Sequence, residues 1–258
     1  MSNIHPTAIV DKNAELGDNV KIGPYAVIGA GVKLGEGTTV GAHAVIEGPT
    51  IVGKFNKIHP FVALGGAPQD LTYTGEKTTL EIGDRNVIRE YATMNRGTPR
   101  GSGTTRIGND NFFMSYSHVA HDCDIGSHVV LVNCANLAGH VKIDDWVTLA
   151  GFSKIHQFCR IGKHAFTGMG CGVAKDVPPY MMAFGNPAEP AGLNKVGLKR
   201  RGFTDEQLQL LRQAYKLLYK SKLKLSEALE RLQEMARESQ DVAELVTFVE
   251  ASKRSIIR

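Results

Sequence analysis

From Ile4 onward an aliphatic residue returns at every sixth position: Ile4, Val10, Leu16, Ile22, Ile28, Leu34, Val40, Ile46, Val52, Ile58 and Leu64. The frame resumes at Ile82, Ile88 and Met94. It returns, shifted by one, at Ile107, Phe113, Val119, Ile125, Leu131, Leu137, Ile143, Leu149, Ile155, Ile161, Thr167 and Val173. A period of six matches neither the 3.6 of a helix nor the plain alternation of a hairpin. It predicts a parallel β-helix in which each hexad supplies a short strand and a corner. The aliphatic residue points inward, and the glycine that often follows it, as in LGDNVK and IGPYAV, lets the corner close without a Cβ. Three hexads, 18 residues, close one triangular coil. Coils stacked about 4.8 Å apart give a prism on the order of 40 Å long.

The two interruptions, 70–81 and 100–106, predict loops thrown out from the prism, and long loops on a rigid scaffold tend to carry function. Val177-Pro178-Pro179 predicts the end of the ladder, because proline cannot donate to it. After an irregular stretch to about Gly202 the period changes. Thr204 with Gln207 reads as a capping box, and Leu208, Leu211, Ala214, Tyr215 and Leu218 share one helical face. Ser226 and Asp241 open two further helices. The expected organisation is a β-helix domain over 1–190 and a small α-helical domain over 191–258.

The coil length rearranges the histidines. Adding 18 to His121 gives Gly139, and adding 18 again gives Gln157; His140 and His156 fall one position either side of that phase. The three histidines should therefore share one edge of consecutive coils, with His118 on the adjoining face. His5, His43, His59, His128 and His164 read as polar corner residues, although His128 and His164 are also in phase. Two chemistries suit the cluster. One is a zinc site with three ligands and an open position, as in the β-helix carbonic anhydrases. The other is a histidine general base oriented by Asp122, with the Gly139 amide receiving developing negative charge.

Composition narrows the classes. The chain has 258 residues, 42% of them apolar and 22% charged, the balance of an ordinary globular protein. A net charge of +4 without a long basic run argues against nucleic acid as a partner. Cys123, Cys134, Cys159 and Cys171 lack Cys-x-x-Cys spacing and read as reduced, half-buried residues. There is no basic-then-apolar leader and no membrane-span window, so a cytoplasmic protein is expected.

HVAHDC, NLAGHVKIDD, KIHQFCRIG, KDVPPY, GNPAEPAGLN and GLKRRGF, in this order behind the hexads, closely resemble the bacterial UDP-N-acetylglucosamine acyltransferases that begin lipid A synthesis. The resemblance covers essentially the whole chain. It implies a left-handed parallel β-helix and a homotrimer with clefts between neighbouring prisms. The implied reaction moves an (R)-3-hydroxyacyl chain from acyl carrier protein to the 3-hydroxyl of UDP-N-acetylglucosamine, without metal or other cofactor. By motif, His121 is the base, Asp122 its support and Gly139 the oxyanion donor. His118, His140, His156 and Gln157 position sugar and diphosphate, Asn194 and Arg201 hold the nucleotide, Arg200 meets phosphate, and Gln69 and Asp70 meet the sugar. Met169 resembles the acyl-chain ruler, and its bulk predicts a donor of about ten carbons. Lys199-Arg200-Arg201 with Lys216, Lys220, Lys222 and Lys224 would attract the acidic carrier.

Three departures bear on the acceptor. Thr72 stands where the family commonly has lysine, Asn95 where it has histidine, and Val196 where some members have an acid. A 3-amino sugar nucleotide, giving an amide, is the alternative they raise. The later N-acyltransferase of the same pathway is a further alternative, but it normally carries an N-terminal uridine-binding domain, and here the hexads begin at Ile4.

Overall fold

The computed structural model describes residues 3–258. The hexads form strands of mostly two residues that build three parallel sheets, the faces of a prism. Face A runs from Asn3–Ile4 to Phe166–Thr167, face B from Ile9–Val10 to Gly172–Val173, and face C from Glu15–Leu16 to Arg160–Ile161. Register follows the predicted coil: Lys21 lies opposite Thr39, His118 opposite Asn136, and Asn136 opposite Lys154. Aliphatic residues such as Ile28, Ile46, Leu64, Ile88, Leu131 and Leu137 fill the interior and are at most 1% exposed. Removing each from water is worth about 1.5–3 kcal/mol, and the column of them holds the prism together.

Most corners turn on a left-handed residue three places after the inward aliphatic, with positive φ at Tyr25, His43, Phe61, Tyr91, Tyr116, Asp122, His128, His140, Trp146, Phe158 and His164 among others. Such a backbone costs a non-glycine residue of order 1–3 kcal/mol. Hydrogen bonds to the preceding coil, such as His140 N to the His121 carbonyl at 3.0 Å, offset it. A second compensation is stacking, because residues one coil apart lie directly over one another. On the A/B edge Tyr25, His43, Phe61, Tyr91 and Tyr116 stack with ring centroids 4.9–5.2 Å apart. On the C/A edge His128, Trp146, His164 and Tyr180 stack likewise. His140 stacks on Phe158 at the B/C edge, 4.5 Å between centroids.

Three details differ from the sequence reading. Strands Thr79–Ile82 and Thr104–Ile107 begin earlier than expected, so the loops are 67–78 and 96–103. Sheet A also continues beyond the prolines: Met181–Phe184 pairs in parallel with Phe166–Thr167 and antiparallel with Glu189–Leu193. Pro178 and Pro179 precede this strand and leave its ladder amides intact, which is why they do not end the sheet. Finally, the irregular stretch contains a short helix, α1 (Lys195–Arg200), capped by Asn194.

The remaining helices are α2 (Asp205–Tyr219), α3 (Leu225–Ala236) and α4 (Gln240–Glu250). Thr204 and Gln207 form the expected capping box of α2. Leu208, Leu211, Leu218, Leu232 and Leu245 pack with Tyr180 and Met181 in a second core. The Tyr180 hydroxyl donates to Glu244 at 2.8 Å, and Ser252 donates to Asp176 at 2.7 Å, fastening the helices to the end of the prism.

Candidate active site

The B/C edge carries the sequence motif HVAHDC. Val119 and Cys123 point into the core, leaving Ala120, His121 and Asp122 to form the corner between strands His118–Val119 and Asp124–Ile125. Asp122 occupies the left-handed position, φ 58°, and its carboxylate lies at the edge of the His121 ring, within reach of Nδ1. His121 Nδ1 lies 2.9 Å from Asp122 Oδ2, so the ring donates Nδ1–H to the carboxylate and leaves Nε2 as the free acceptor. The Asp122 carboxyl is held below its ordinary value. Burial pushes it up, but hydrogen bonds from the Thr98 hydroxyl, the His121 ring and the Thr98 amide, with the His140 charge, outweigh that.

One coil on, Gly139 lies against the imidazole. A Cβ there would sit 2.5 Å from His121 Cε1 and 2.7 Å from Nε2, so only glycine lets the ring occupy its place. The Gly139 amide faces no backbone acceptor among the described residues, because this corner position lies outside the ladder. The fold thus leaves an unused N–H beside the histidine.

A groove of about 430 Å³ on face B gathers Gln69, His118, His121, Gly139 and Gln157 with Asn136 and Lys154. His118 pairs through Nδ1 with the Thr93 hydroxyl at 2.7 Å. Burial, then the charge of His121, holds His118 below the ordinary histidine value, so it is neutral near neutral pH. His140 stands edge-on to His121, 5.1 Å between centroids, and opens onto face C with Asp122. His156 is exposed, its Nδ1 3.1 Å from the Gln157 carbonyl. Asp70 accepts from the Thr72 amide and hydroxyl, both at 2.8 Å, and those bonds hold its carboxyl below the usual range.

His121, Asp122 and His140 each offer a ligand atom within 4.8 Å of the others. The carboxylate is nonetheless already engaged: Oδ2 receives Thr98 N, Thr98 Oγ1 and His121, and Oδ1 receives Ser102 N at 2.9 Å. A metal would have to displace these donors, so the donor set fits a held base better than a ligand cluster. Cys123, Cys159 and Cys171 are buried, and burial raises their thiols to about 12, 11 and 11. Cys134 is partly exposed.

Asn194, Val196, Arg200 and Arg201 lie apart from these, in a groove of about 440 Å³ on face A with Thr148, Phe166 and Met182. Asn194 donates to the His164 carbonyl at 2.9 Å, and the Arg201 guanidinium stacks 5.0 Å above Trp146. Burial, then the charges of Arg201 and Lys163, lowers His164 to about 4, so a neutral ring supports the arginine. The in-phase pair His128 and His164 therefore brackets Trp146 in the wall behind this groove, a role that the sequence spacing alone did not signal. Met169 is 80% exposed, next to the A/B corner residue Gly170. Asn95, buried, donates to the Ala67 carbonyl at 2.9 Å and so pins the base of the first loop.

Comparisons with known proteins bear on the family and the fold. Residues 176–257 match the family described as Udp N-acetylglucosamine O-acyltransferase, domain 2. Residues 13–48 and 104–139 match the bacterial transferase hexapeptide repeat. An acyl-[acyl-carrier-protein]--UDP-N-acetylglucosamine O-acyltransferase of Janthinobacterium sp. (strain Marseille) is 53% identical, covering 100% of both chains. One from Thiobacillus denitrificans is 52% identical over the same shares. The solved UDP-N-acetylglucosamine acyltransferase of Francisella novicida superposes with a TM-score of 0.97 at 43% identity, covering 99% of this chain and 94% of that one. The corresponding Acinetobacter baumannii structure gives 0.96 at 42% identity and 99% of both chains. The chain belongs to the UDP-N-acetylglucosamine O-acyltransferase family.

Proposed function

We propose that the protein transfers a 3-hydroxyacyl chain from acyl carrier protein to the 3-hydroxyl of UDP-N-acetylglucosamine, with His121 as general base. The observation that carries this reading is the His121 imidazole, fixed between the Asp122 carboxylate and Gly139 with Nε2 free. His121 Nε2 takes the proton of the sugar hydroxyl as its oxygen attacks the thioester carbonyl. The Gly139 amide receives the tetrahedral oxyanion. Collapse breaks the C–S bond, and the departing thiolate takes the proton from His121. A thioester is already activated, so no covalent enzyme intermediate is required.

Gln69, Asp70, His118 and Gln157 face the sugar in this reading, with His140 and His156 flanking it. Asn194, Arg200 and Arg201 hold the nucleotide and its diphosphate, yet they lie on face A while His121 serves face B. A homotrimer reconciles the two. Faces A and B meet at the edge whose aromatic ladder is exposed, with Tyr25 at 58%, Tyr116 at 57% and Phe152 at 56%. An apolar row of that length marks an interface. With this edge on a threefold axis, face A of one copy meets face B of the next, joining the two grooves.

Met169, on the same edge, would close the end of the acyl channel, and its side chain displaces roughly four methylenes. The donor is therefore about ten carbons long. The basic side chains Lys216, Lys220, Lys222 and Lys224 of α2 and the segment after it supply attraction for the acidic carrier, whereas Lys199 is engaged by Asp205 at 2.9 Å. No helix is long and apolar enough to cross a membrane, and we place the reaction in the cytoplasm with its carrier and sugar nucleotide. The test is a transfer assay with 3-hydroxyacyl carriers of graded length against 3-hydroxy and 3-amino sugar nucleotides. Fastest esterification with a chain of about ten carbons is expected. Amide formation in preference to ester would instead attach the exchanges at Thr72, Asn95 and Val196 to the 3-amino acceptor, and no transfer to either would refute the activity.

A further inference from the structure

The second loop, 96–103, does not project from the prism but folds over the Asp122 carboxylate. Its closure begins at Thr98, whose carbonyl accepts from Gly101 N at 3.1 Å and Gly103 N at 3.0 Å. The turn brings Gly101 so close that a Cβ there would collide with the carboxylate. Thr98 is 2% exposed and gives Asp122 Oδ2 two hydrogen bonds, from its amide at 3.0 Å and its hydroxyl at 2.6 Å. The same oxygen accepts His121 Nδ1–H. Ser102 contributes chiefly through its amide, because its hydroxyl is 2.6 Å from the Thr104 carbonyl and 3.3 Å from Asp122.

We propose that Thr98 is a positioning residue for the reaction: its hydroxyl fixes the Asp122 oxygen that orients His121, and so keeps the imidazole in the one tautomer that can act as base. This inference rests on His121 being the base. A short hydrogen bond to a charged oxygen is about twice as strong as a neutral one, and its direction locks the carboxylate plane. Without the hydroxyl, the carboxylate keeps the Thr98 and Ser102 amides but loses its shortest donor, so Oδ2 is held less firmly opposite Nδ1 and the ring samples the second tautomer more often. The groups around the pair are His118 and His140, Asp70 and Arg100 from the two loops, and Asp124 on the next strand. None of them donates to Asp122 Oδ2 in Thr98's place, and His140 Nε2 is 3.9 Å away.

The test compares Thr98→Val, which removes the hydroxyl at nearly constant volume, with Thr98→Ser, which keeps it. Thr98→Val should lower kcat by about 10- to 100-fold with the KM for the sugar nucleotide within about twofold of wild type. Losing a donor to a carboxylate raises its pKa, so the acid limb of kcat/KM should move to higher pH. Thr98→Ser should restore both. Nitrogen NMR of labelled histidine reads the tautomer without turnover: His121 should be a single Nδ1–H form in wild type and a mixture in Thr98→Val. An unchanged kcat and limb, or a loss confined to KM with one tautomer retained, would overturn the proposal. Should Thr98→Val not fold, Gly101→Ala applies the same readouts by pushing the carboxylate aside. If His121→Ala itself kept full turnover, the base assignment would fail, and the tautomer measurement would still decide whether Thr98 orients the ring.

Discussion

At the scale of single residues the site depends on space as much as on charge. Gly139 is needed because His121 occupies the volume its Cβ would fill, and Asp122, at a left-handed corner, has its carboxylate 2.9 Å from the ring's Nδ1. The same reasoning applies to Met169, whose side chain is exposed in one chain and enclosed in the proposed trimer. Met169→Gly should extend the preferred donor by roughly four carbons, measured as the kcat/KM optimum across a chain-length series. An unshifted optimum would show that another residue ends the channel. The approach of Gly139 to His121 was legible in the sequence because the coil length converts spacing into adjacency, whereas Asp122 is simply the next residue in the chain. Thr98 was not legible: loop 96–103 falls outside the repeat, and no period indicates that a loop folds back onto the edge it leaves.

At the scale of elements, the hexad predicts strands and corners well because every coil repeats the same backbone problem. The prolines misled, since Pro178 and Pro179 lie before the strand Met181–Phe184 instead of inside it, and α1 is too short to show a period. The C/A ladder illustrates how an element built for stacking also backs the groove proposed to hold the nucleotide. Trp146 lies between His128 and His164 and under Arg201, so it holds the guanidinium by a cation–π contact. Such contacts are worth about 0.5–2 kcal/mol. Trp146→Ala should raise the KM for the sugar nucleotide by about 2- to 30-fold with a much smaller change in kcat, and Trp146→Phe should recover most of it. A fall in kcat alone would place Trp146 elsewhere in the mechanism.

At the scale of the whole molecule, the two grooves on faces A and B form one site in the proposed function only if a neighbouring copy joins them. His121→Ala and Arg201→Ala should each be inactive alone. Unfolded and refolded together in equal amounts, they should recover activity in about a quarter of the interfaces, those that pair an intact face B with an intact face A. No recovery, with mixed trimers shown by mass spectrometry, would mean that both residues serve one copy's site.

The most direct measurement of the central claim is the turnover of His121→Ala with its 3-hydroxyacyl carrier and UDP-N-acetylglucosamine, alongside the sedimentation and thermal unfolding of the same sample. General-base removal costs about 10²- to 10⁴-fold. A variant that sediments and melts like wild type but transfers acyl chains at least a hundredfold more slowly is the predicted result. Turnover within a few-fold of wild type would contradict the assignment of His121 as the base.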